Sequence, residues 1–569
     1  MRRWLAASFL MVSVGIRLNM KSKKRYWLLV TALIIPMTFA GAHTGQRFSS
    51  QGEDSPGSRA KIADDFAKAM LVAKDNYAGS IDYDKLTKAS ILGMLHTLDP
   101  HSGFFDRKEW ESFQNDQRSR YFGIGSTIAP RNEKVYIISP FDGTPAHRGG
   151  IRYGDQIIAV NGESTEGWTS LQVSNKLIGP EGTAVAVKVV RAGVSQPIEL
   201  KFIREAVPLP SVSNYYLGQN GVGYINFNRG FNTTSHEEIR NALREMKEQG
   251  MTSLVLDLRD NRGGLVDQAQ KIANIFLYKG QKIVTMRGRP SVFPTREAVA
   301  FNNNPDDYPL VVLINRGSAS ASEILAGALQ DHDRAVIVGE NSFGKGLVQS
   351  VFTLSDGSGL TLTTGHFYTP SGRLIQRDYS NRSFYDYYLK RGDKEGAVEH
   401  SEETTTDTGR KVYGGGGIEP DDIVKIPARE FELQRVWTEP VFQFSRMLVG
   451  GQIPGLTEFK IDRQSDHKHR LTASEYLVNE KVLVAFKNYL RDHKELKADG
   501  TRVDKDADWL KRRIRYEVVT AAYGEEIARQ VLNEGDPQLQ KAISDLPKAK
   551  NLVDDFRRMR ASSRGASQK

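Results

Sequence analysis

Between residues 215 and 370, apolar runs repeatedly enter short turns of small residues and leave as helices, and this alternation constrains the fold most. Two units share the shape. In the first, Leu254-Val-Leu-Asp-Leu258 reads as a strand, Arg259-Asp-Asn-Arg-Gly-Gly264 as a turn and Leu265–Leu277 as a periodic helix. In the second, Pro309-Leu-Val-Val-Leu-Ile-Asn315 enters Arg316-Gly-Ser-Ala-Ser-Ala-Ser322 and leaves through Glu323-Ile-Leu-Ala-Gly-Ala-Leu329. Strands alternating with helices predict parallel pairing in α/β layers. Two such corners side by side would aim helix N-terminal N–H groups at one place. That arrangement suits an oxyanion or a bound phosphate equally.

The phosphate reading has a direct test at Gly339-Glu-Asn-Ser-Phe-Gly-Lys345, which spells the start of a nucleotide-binding P-loop. That loop needs a Ser or Thr after the lysine to bind Mg²⁺, and a helix to face the phosphates. Here Gly346 follows, and Leu347-Val-Gln-Ser-Val-Phe-Thr-Leu354 is β-branched and aromatic, a strand. The nucleotide reading fails on both counts.

A serine at the second corner needs a general base before it can act as a nucleophile. Serines ahead of a helix commonly serve as N-caps, so three in Ser318–Ser322 could also be structural. His332, in Gln330-Asp-His-Asp-Arg334, reads as a solvated helix end; His366, in a strand-like run, remains a candidate base. Lysine serves if it is neutral, and lowering its pKa from ~10.4 to ~7 costs roughly 4–5 kcal/mol of differential solvation. Lys345 sits among Phe343, Gly344, Gly346, Leu347 and Val348, with the nearest acid in sequence at Glu340. A lysine between glycines is more often a surface loop residue.

Elsewhere the chain divides by composition. Lys21, Lys23, Lys24 and Arg25 precede an apolar run over Trp27–Ala40, and Ala40-Gly41-Ala42 offers a small-residue cleavage site. Residues 1–42 are therefore expected to be a signal peptide or membrane anchor, with Met20 a candidate true start. Residues 43–58 read as a linker, 59–117 as a helical segment, and 118–205 as short strands with glycine turns. Residues 206–428 form the α/β core, with a polar excursion at 377–413. Residues 429–569 turn helical and charged, with Thr472-Ala-Ser-Glu475 expected to cap a helix. The net charge of +10 draws partly on the two ends, and no basic, aromatic-interleaved module accompanies it, so nucleic acid is not expected as a partner. With no cysteine, thiolate catalysis, disulfides and Cys-ligated zinc are excluded.

These motifs together resemble the carboxyl-terminal processing peptidases, or tail-specific proteases. The carriers are Ser318-Ala-Ser-Ala-Ser-Glu-Ile324, Phe343-Gly-Lys-Gly-Leu-Val-Gln349, Leu256-Asp-Leu-Arg-Asp-Asn-Arg-Gly-Gly264, Leu98-Asp-Pro-His-Ser102 and Gly415-Gly-Gly-Ile-Glu-Pro-Asp421. The match spans roughly 60–425. Tyr121-Phe-Gly-Ile-Gly125 and Gly149-Gly-Ile-Arg-Tyr-Gly-Asp155 look like parts of a PDZ domain. The resemblance implies that Ser320 is the nucleophile, Lys345 its base and Gln349 the residue orienting the lysine. Ala321 and one of Gly263 and Gly264 would form the oxyanion hole, and Phe122, Gly123, Ile124 and Gly125 would hold a substrate's terminal carboxylate.

The expectation is thus a multi-domain α/β protein, α+β overall: an N-terminal helical segment, a PDZ-like domain before an α/β protease core, and a C-terminal helical region. It would be an exported serine endopeptidase, periplasmic or membrane-anchored, without metal or organic cofactor. Its partners would be protein substrates bound by their C-terminal tails, with inner-membrane association through the N-terminus and an adaptor or self-association through the C-terminal region. The alternatives are a catalytically silent PDZ scaffold and a hydrolase using His366.

Overall fold

The computed structural model describes residues 56–117, 120–380, Tyr387 and 402–566. The signal or anchor segment, most of the 43–58 linker and much of the 377–413 excursion lie outside them. The chain forms two compact units, one ending at Ala89 and one beginning at Ser90. The first carries the helix Pro56–Asn76, whose apolar Ile62, Phe66 and Val72 are exposed. Among the described residues no helix is long and apolar enough to cross a membrane.

The alternation read from the sequence builds the central sheet of the second unit. Its strands run Asn214–Leu217, Val222–Asn226, Ser253–Asp257, Leu310–Ile314, Val336–Gly339 and Asp422–Ile423, neighbouring one another in chain order. All pairs are parallel except the first. A sheet that winds in one direction through right-handed crossovers carries its crossover helices on one face. The helices Ser235–Glu248, Val266–Phe276 and Ala321–Asp331 share one core with Ile225, Leu254, Leu256, Val312 and Ile337. Alternate residues of the same strands (Val255, Val311, Leu313, Val336 and Val338) face the other way and pack under Leu539, Ala542, Leu546 and Ala549. The helices Pro537–Ser544 and Leu546–Ala566 therefore supply the layer that the winding leaves out.

The strand after Lys345 does not join this sheet. Leu347–Thr353 pairs antiparallel with Gly359–Tyr368, whose other edge takes Gly103–Phe105 and then Lys282–Gly288. The glycine-rich turn thus carries the chain from the parallel sheet into a second, antiparallel one.

The PDZ-like domain is a separate sheet with Ser126–Arg131 at its edge and the helix Ser170–Leu177 beside that strand. Its other face is closed by the C-terminal region: Tyr136, Ile138 and Tyr153 share a core with Trp437, Phe442, Phe486 and Ile514.

Three expectations change. His332 is buried, not solvated, because Nδ1 meets Asp407 at 2.7 Å and Nε2 meets the Lys282 carbonyl at 2.7 Å. Asp407 belongs to a hairpin, Glu403–Thr405 with Lys411–Tyr413, so this part of the polar excursion packs on the core. Thr472–Glu475 caps no helix: Glu475 is held by His469, and the helix Glu480–Asp492 is capped instead by Asn479, whose side chain accepts from the Val482 amide.

Candidate active site

The corner that carries Ser320 is built by the two serines that flank it. Ser318 Oγ donates to the Leu258 carbonyl at 2.8 Å, and Ser322 Oγ donates to the Asn261 carbonyl at 2.8 Å. Both are fully buried, and they bolt the second strand–turn–helix corner to the first. Ser320 is left partly accessible at the start of its helix, with φ 58° and ψ −115°. A positive φ is uncommon for a residue with a side chain, and such strain gathers at functional turns.

The two corners approach as closely as atoms allow. A Cβ placed on Gly263 would lie 2.7 Å from Ser320 Cβ and 2.8 Å from Ala321 N, so only glycine fits. The Gly263 amide is already engaged, donating to Asn261 Oδ1 at 2.9 Å. The amides of Gly264 and Ala321 carry no hydrogen bond among the described residues. Of the two glycines expected at an oxyanion hole, Gly264 is the one with a donor to spare.

Lys345 reaches the corner through Glu323, which the sequence reading did not single out. Glu323 Oε2 accepts from the Ser320 amide at 2.7 Å and from the Lys345 amide at 2.9 Å. Oε1 accepts from the Ser342 hydroxyl at 2.5 Å and the Gly344 amide at 2.6 Å. One buried carboxylate therefore ties the start of the Ser320 helix to the lysine loop. Burial pushes its pKa up, against the lowering pull of those four donors. The Phe343 amide adds a bond to the Ser318 carbonyl at 2.8 Å. The spacing Ser320 to Glu323, that of a capping box, was the available signal.

The Lys345 amine donates to Gln349 Oε1 at 2.6 Å, so lysine and glutamine meet although four residues apart. Long side chains leaning together and a bulge in the ladder between Val348 and Gln349 cover the distance. No carboxylate lies within ion-pairing distance of the amine among the described residues. Burial, opposed by the charges of Glu323 and Asp99, holds the Lys345 pKa down to about 8. Part of the residue stays accessible. No direct hydrogen bond joins Lys345 to Ser320 among the described residues; what brings them together is the shared Glu323 oxygen.

Around the lysine stands an aromatic wall. His101 packs edge-on to Phe343 and Tyr387, and its Nε2 lies 2.9 Å from the Tyr387 hydroxyl. Arg377 stacks 4.0 Å from both the Phe343 and Tyr387 rings. Burial, then the Lys345 charge, push the His101 pKa down to about 3, so this histidine is neutral at working pH. His366 lies opposite Leu347 in the ladder and makes no hydrogen bond to Ser320 among the described residues.

The loop Phe122–Gly125 lies in the PDZ-like domain, and no hydrogen bond or ion pair joins it to the serine among the described residues. Its carbonyls are occupied: Phe122 O accepts from Gly179 N, Ile124 O from Ala146 N, and Gly125 O from Phe141 N. The amides of Ile124 and Gly125 carry no hydrogen bond among the described residues. Gly125 has φ 81°, and a Cβ there would strike the Thr144 side chain. Successive free amides at such a turn form a nest for an anion.

Comparison with known proteins adds an independent line. The family model described as Peptidase family S41 matches residues 221–380, and that of the PDZ domain matches residues 112–190. A carboxy-terminal-processing protease of Bartonella bacilliformis is 37% identical over 307 residues, covering 53% of this chain and 70% of that one. A probable CtpA-like serine protease of Staphylococcus aureus is 34% identical over 354 residues, covering 61% and 68% respectively. Among solved structures, the photosystem II D1 C-terminal processing protease is 28% identical, with a TM-score of 0.33, over 63% of this chain and 88% of that one.

Proposed function

The chain belongs to peptidase family S41, the C-terminal processing serine proteases with a PDZ domain, and from that premise we propose that it cuts proteins through a Ser320–Lys345 dyad. The observation that carries this reading is the lysine amine: largely buried, with no carboxylate in ion-pairing distance among the described residues, held by the neutral amide of Gln349 and tied through Glu323 to a strained serine.

The PDZ domain captures the carboxyl terminus of a protein in the nest at Ile124 and Gly125, and the tail adds a strand along the open edge Ser126–Arg131. A peptide bond upstream then reaches Ser320. Neutral Lys345 takes the hydroxyl proton as Oγ attacks the carbonyl carbon, and the oxyanion forms against the amides of Ala321 and Gly264. The tetrahedral intermediate collapses as Lys345 returns the proton to the leaving amine, which leaves an ester on Ser320. Water, deprotonated by the same lysine, attacks that ester, and Lys345 returns the proton to Ser320 Oγ as the ester C–O bond breaks and frees the new carboxyl terminus.

The apolar run and small-residue site near residues 27–42 favour export, with the catalytic part outside the cytoplasm, periplasmic or anchored to the inner membrane. Cleavage of an unfolded protein tests the dyad. Ser320→Ala and Lys345→Ala are each expected to abolish turnover while a tail peptide still binds the PDZ domain. Near-normal turnover by either variant sinks the proposal. The same Ser320→Ala protein, used as bait, would retain substrates and any adaptor docked on the C-terminal region.

A further inference from the structure

Gln349 is held at both ends. Its Oε1 accepts from Lys345, and its Nε2 donates to the His101 carbonyl at 2.6 Å. A glutamine amide has two ends of nearly the same shape and opposite polarity, and its facing is decided by its partners. A backbone carbonyl can only accept, so it selects the NH₂ end and leaves the oxygen for the lysine. A neutral amine has two N–H bonds and one lone pair. Committing one N–H to Oε1 restricts where that lone pair can lie.

The carbonyl is itself fixed by a small, closed structure. Asp99 Oδ1 accepts from the amides of His101 at 2.7 Å and Ser102 at 2.8 Å, and Oδ2 accepts from the Ser102 hydroxyl at 2.7 Å. The Ser102 hydroxyl in turn accepts from the amide of Thr363 at 3.2 Å. Thr363 is the residue paired with Gln349 in the ladder, immediately after the bulge. The turn then enters Gly103–Phe105, which pairs on the opposite edge of the same strand. The bonds of Asp99 and Ser102 therefore hold the His101 carbonyl in place relative to Gln349.

We propose that the turn Asp99–Ser102 is a positioning element of the proteolytic machinery: through the His101 carbonyl it fixes the facing of Gln349 and thereby the orientation of the Lys345 amine toward Ser320. None of these residues touches the reacting atoms. The inference rests on the dyad reading above and deepens it.

The test follows the rate at which a fluorophosphonate labels Ser320, together with kcat and KM for a tail-bearing peptide, in the full-length protein across pH. Asp99→Ala is expected to slow labelling and kcat by about 10- to 100-fold, the scale of a misplaced catalytic group, with KM unchanged. Asp99→Asn keeps an oxygen for the two amides and is expected to restore most of the rate. Its acid limb should move to lower pH, because one negative charge facing Lys345 is gone. The other charge acting on the amine, Glu323, and the neutral His101 that feels the lysine charge stay in place, as do Arg377 and Tyr387 around His101. Ser102→Ala, which removes the bridge to Thr363, should act in the same direction as Asp99→Ala. In a Gln349→Ala background, Asp99→Ala should cost less than about threefold, because its effect passes through the missing amide. Equal factors in both backgrounds, or an Asp99→Ala protein as fast as the parent, overturn the proposal. Ser320→Ala and Lys345→Ala run alongside: if either turns over normally the dyad reading fails, whereas their inactivity combined with equal factors condemns the turn alone.

Discussion

Lys345 is the residue on which chemistry and stability pull against each other. Burial lowers its pKa to about 8, so below that value the folded protein holds an unwelcome ammonium, and above it the folded protein gives up the proton. The unfolded chain binds that proton up to about 10.5. Stability therefore rises with pH between the two values, and below the lower one the full penalty applies. A depression from 10.5 to about 8 corresponds to about 3 kcal/mol. Lys345→Met, close in shape and uncharged, should raise unfolding stability by about that much at pH 7, with the gain gone by about pH 10.5, measured by urea denaturation at both. On the proposed mechanism the same titration sets the activity of the parent: kcat/KM should fall below an acid limb near pH 8, as Lys345 becomes protonated. The need for a neutral lysine was legible in the apolar neighbours of Lys345 along the chain. Its real electrostatic company was not, because Glu323 and Asp99 come from distant segments that only the fold brings close.

Between residues and the whole lie the strand–turn–helix corners, each readable from its own apolar run and small-residue turn. Sequence also singled out Ser320 by family pattern, but not why the middle serine is the accessible one. The structure answers by giving Ser318 and Ser322 to the neighbouring corner. What sequence could not supply is the tie between corners. Glu323 looks like an ordinary third helix residue, and only the return of the chain at Ser342–Lys345 turns it into a four-donor clamp. Removing the carboxylate leaves three amides and a hydroxyl buried without their acceptor, at about 1–3 kcal/mol for each group that finds no water. Glu323→Ala should thus destabilise by about 3–5 kcal/mol and lower kcat far more than it changes tail binding, read by denaturation and by peptide cleavage. A variant that melts like the parent and cleaves normally would refute the clamp. The misread cap at Thr472–Glu475 teaches the converse: the local pattern fits, yet a histidine six residues away competes for Glu475 and Asn479 supplies the cap instead.

At the scale of the molecule, the C-terminal region, whose role the sequence left blank, is part of the catalytic fold. Amphipathic helices announce an apolar stripe but not the surface that receives it. Here the receiver follows from the topology: a sheet wound in one direction keeps its crossover helices on one face, and the other needs a cover from elsewhere. Leu539 and Leu546 provide it against Val255, Val311, Leu313, Val336 and Val338, on the strands that lead into both active-site corners. The same region holds the PDZ domain. Arg446 donates to the carbonyl of Gly154 at 2.7 Å, and Tyr153 donates to buried Glu517 at 2.9 Å. The tail-binding domain and the protease sheet are therefore both fastened to one helical region. A chain ending at Lys425 should lose both attachments and expose a contiguous apolar sheet face, so it is expected to aggregate rather than fold as a smaller enzyme. The full-length variant Leu539→Ala isolates the sheet contact: truncating a leucine only 3% exposed should cost about 2–5 kcal/mol, lowering the urea midpoint. Tail binding should persist, since the PDZ contacts come from other helices. If the truncated chain were monomeric, folded and active, or if Leu539→Ala left the midpoint unmoved, the C-terminal helices would be an appendage and the face they cover would need no cover.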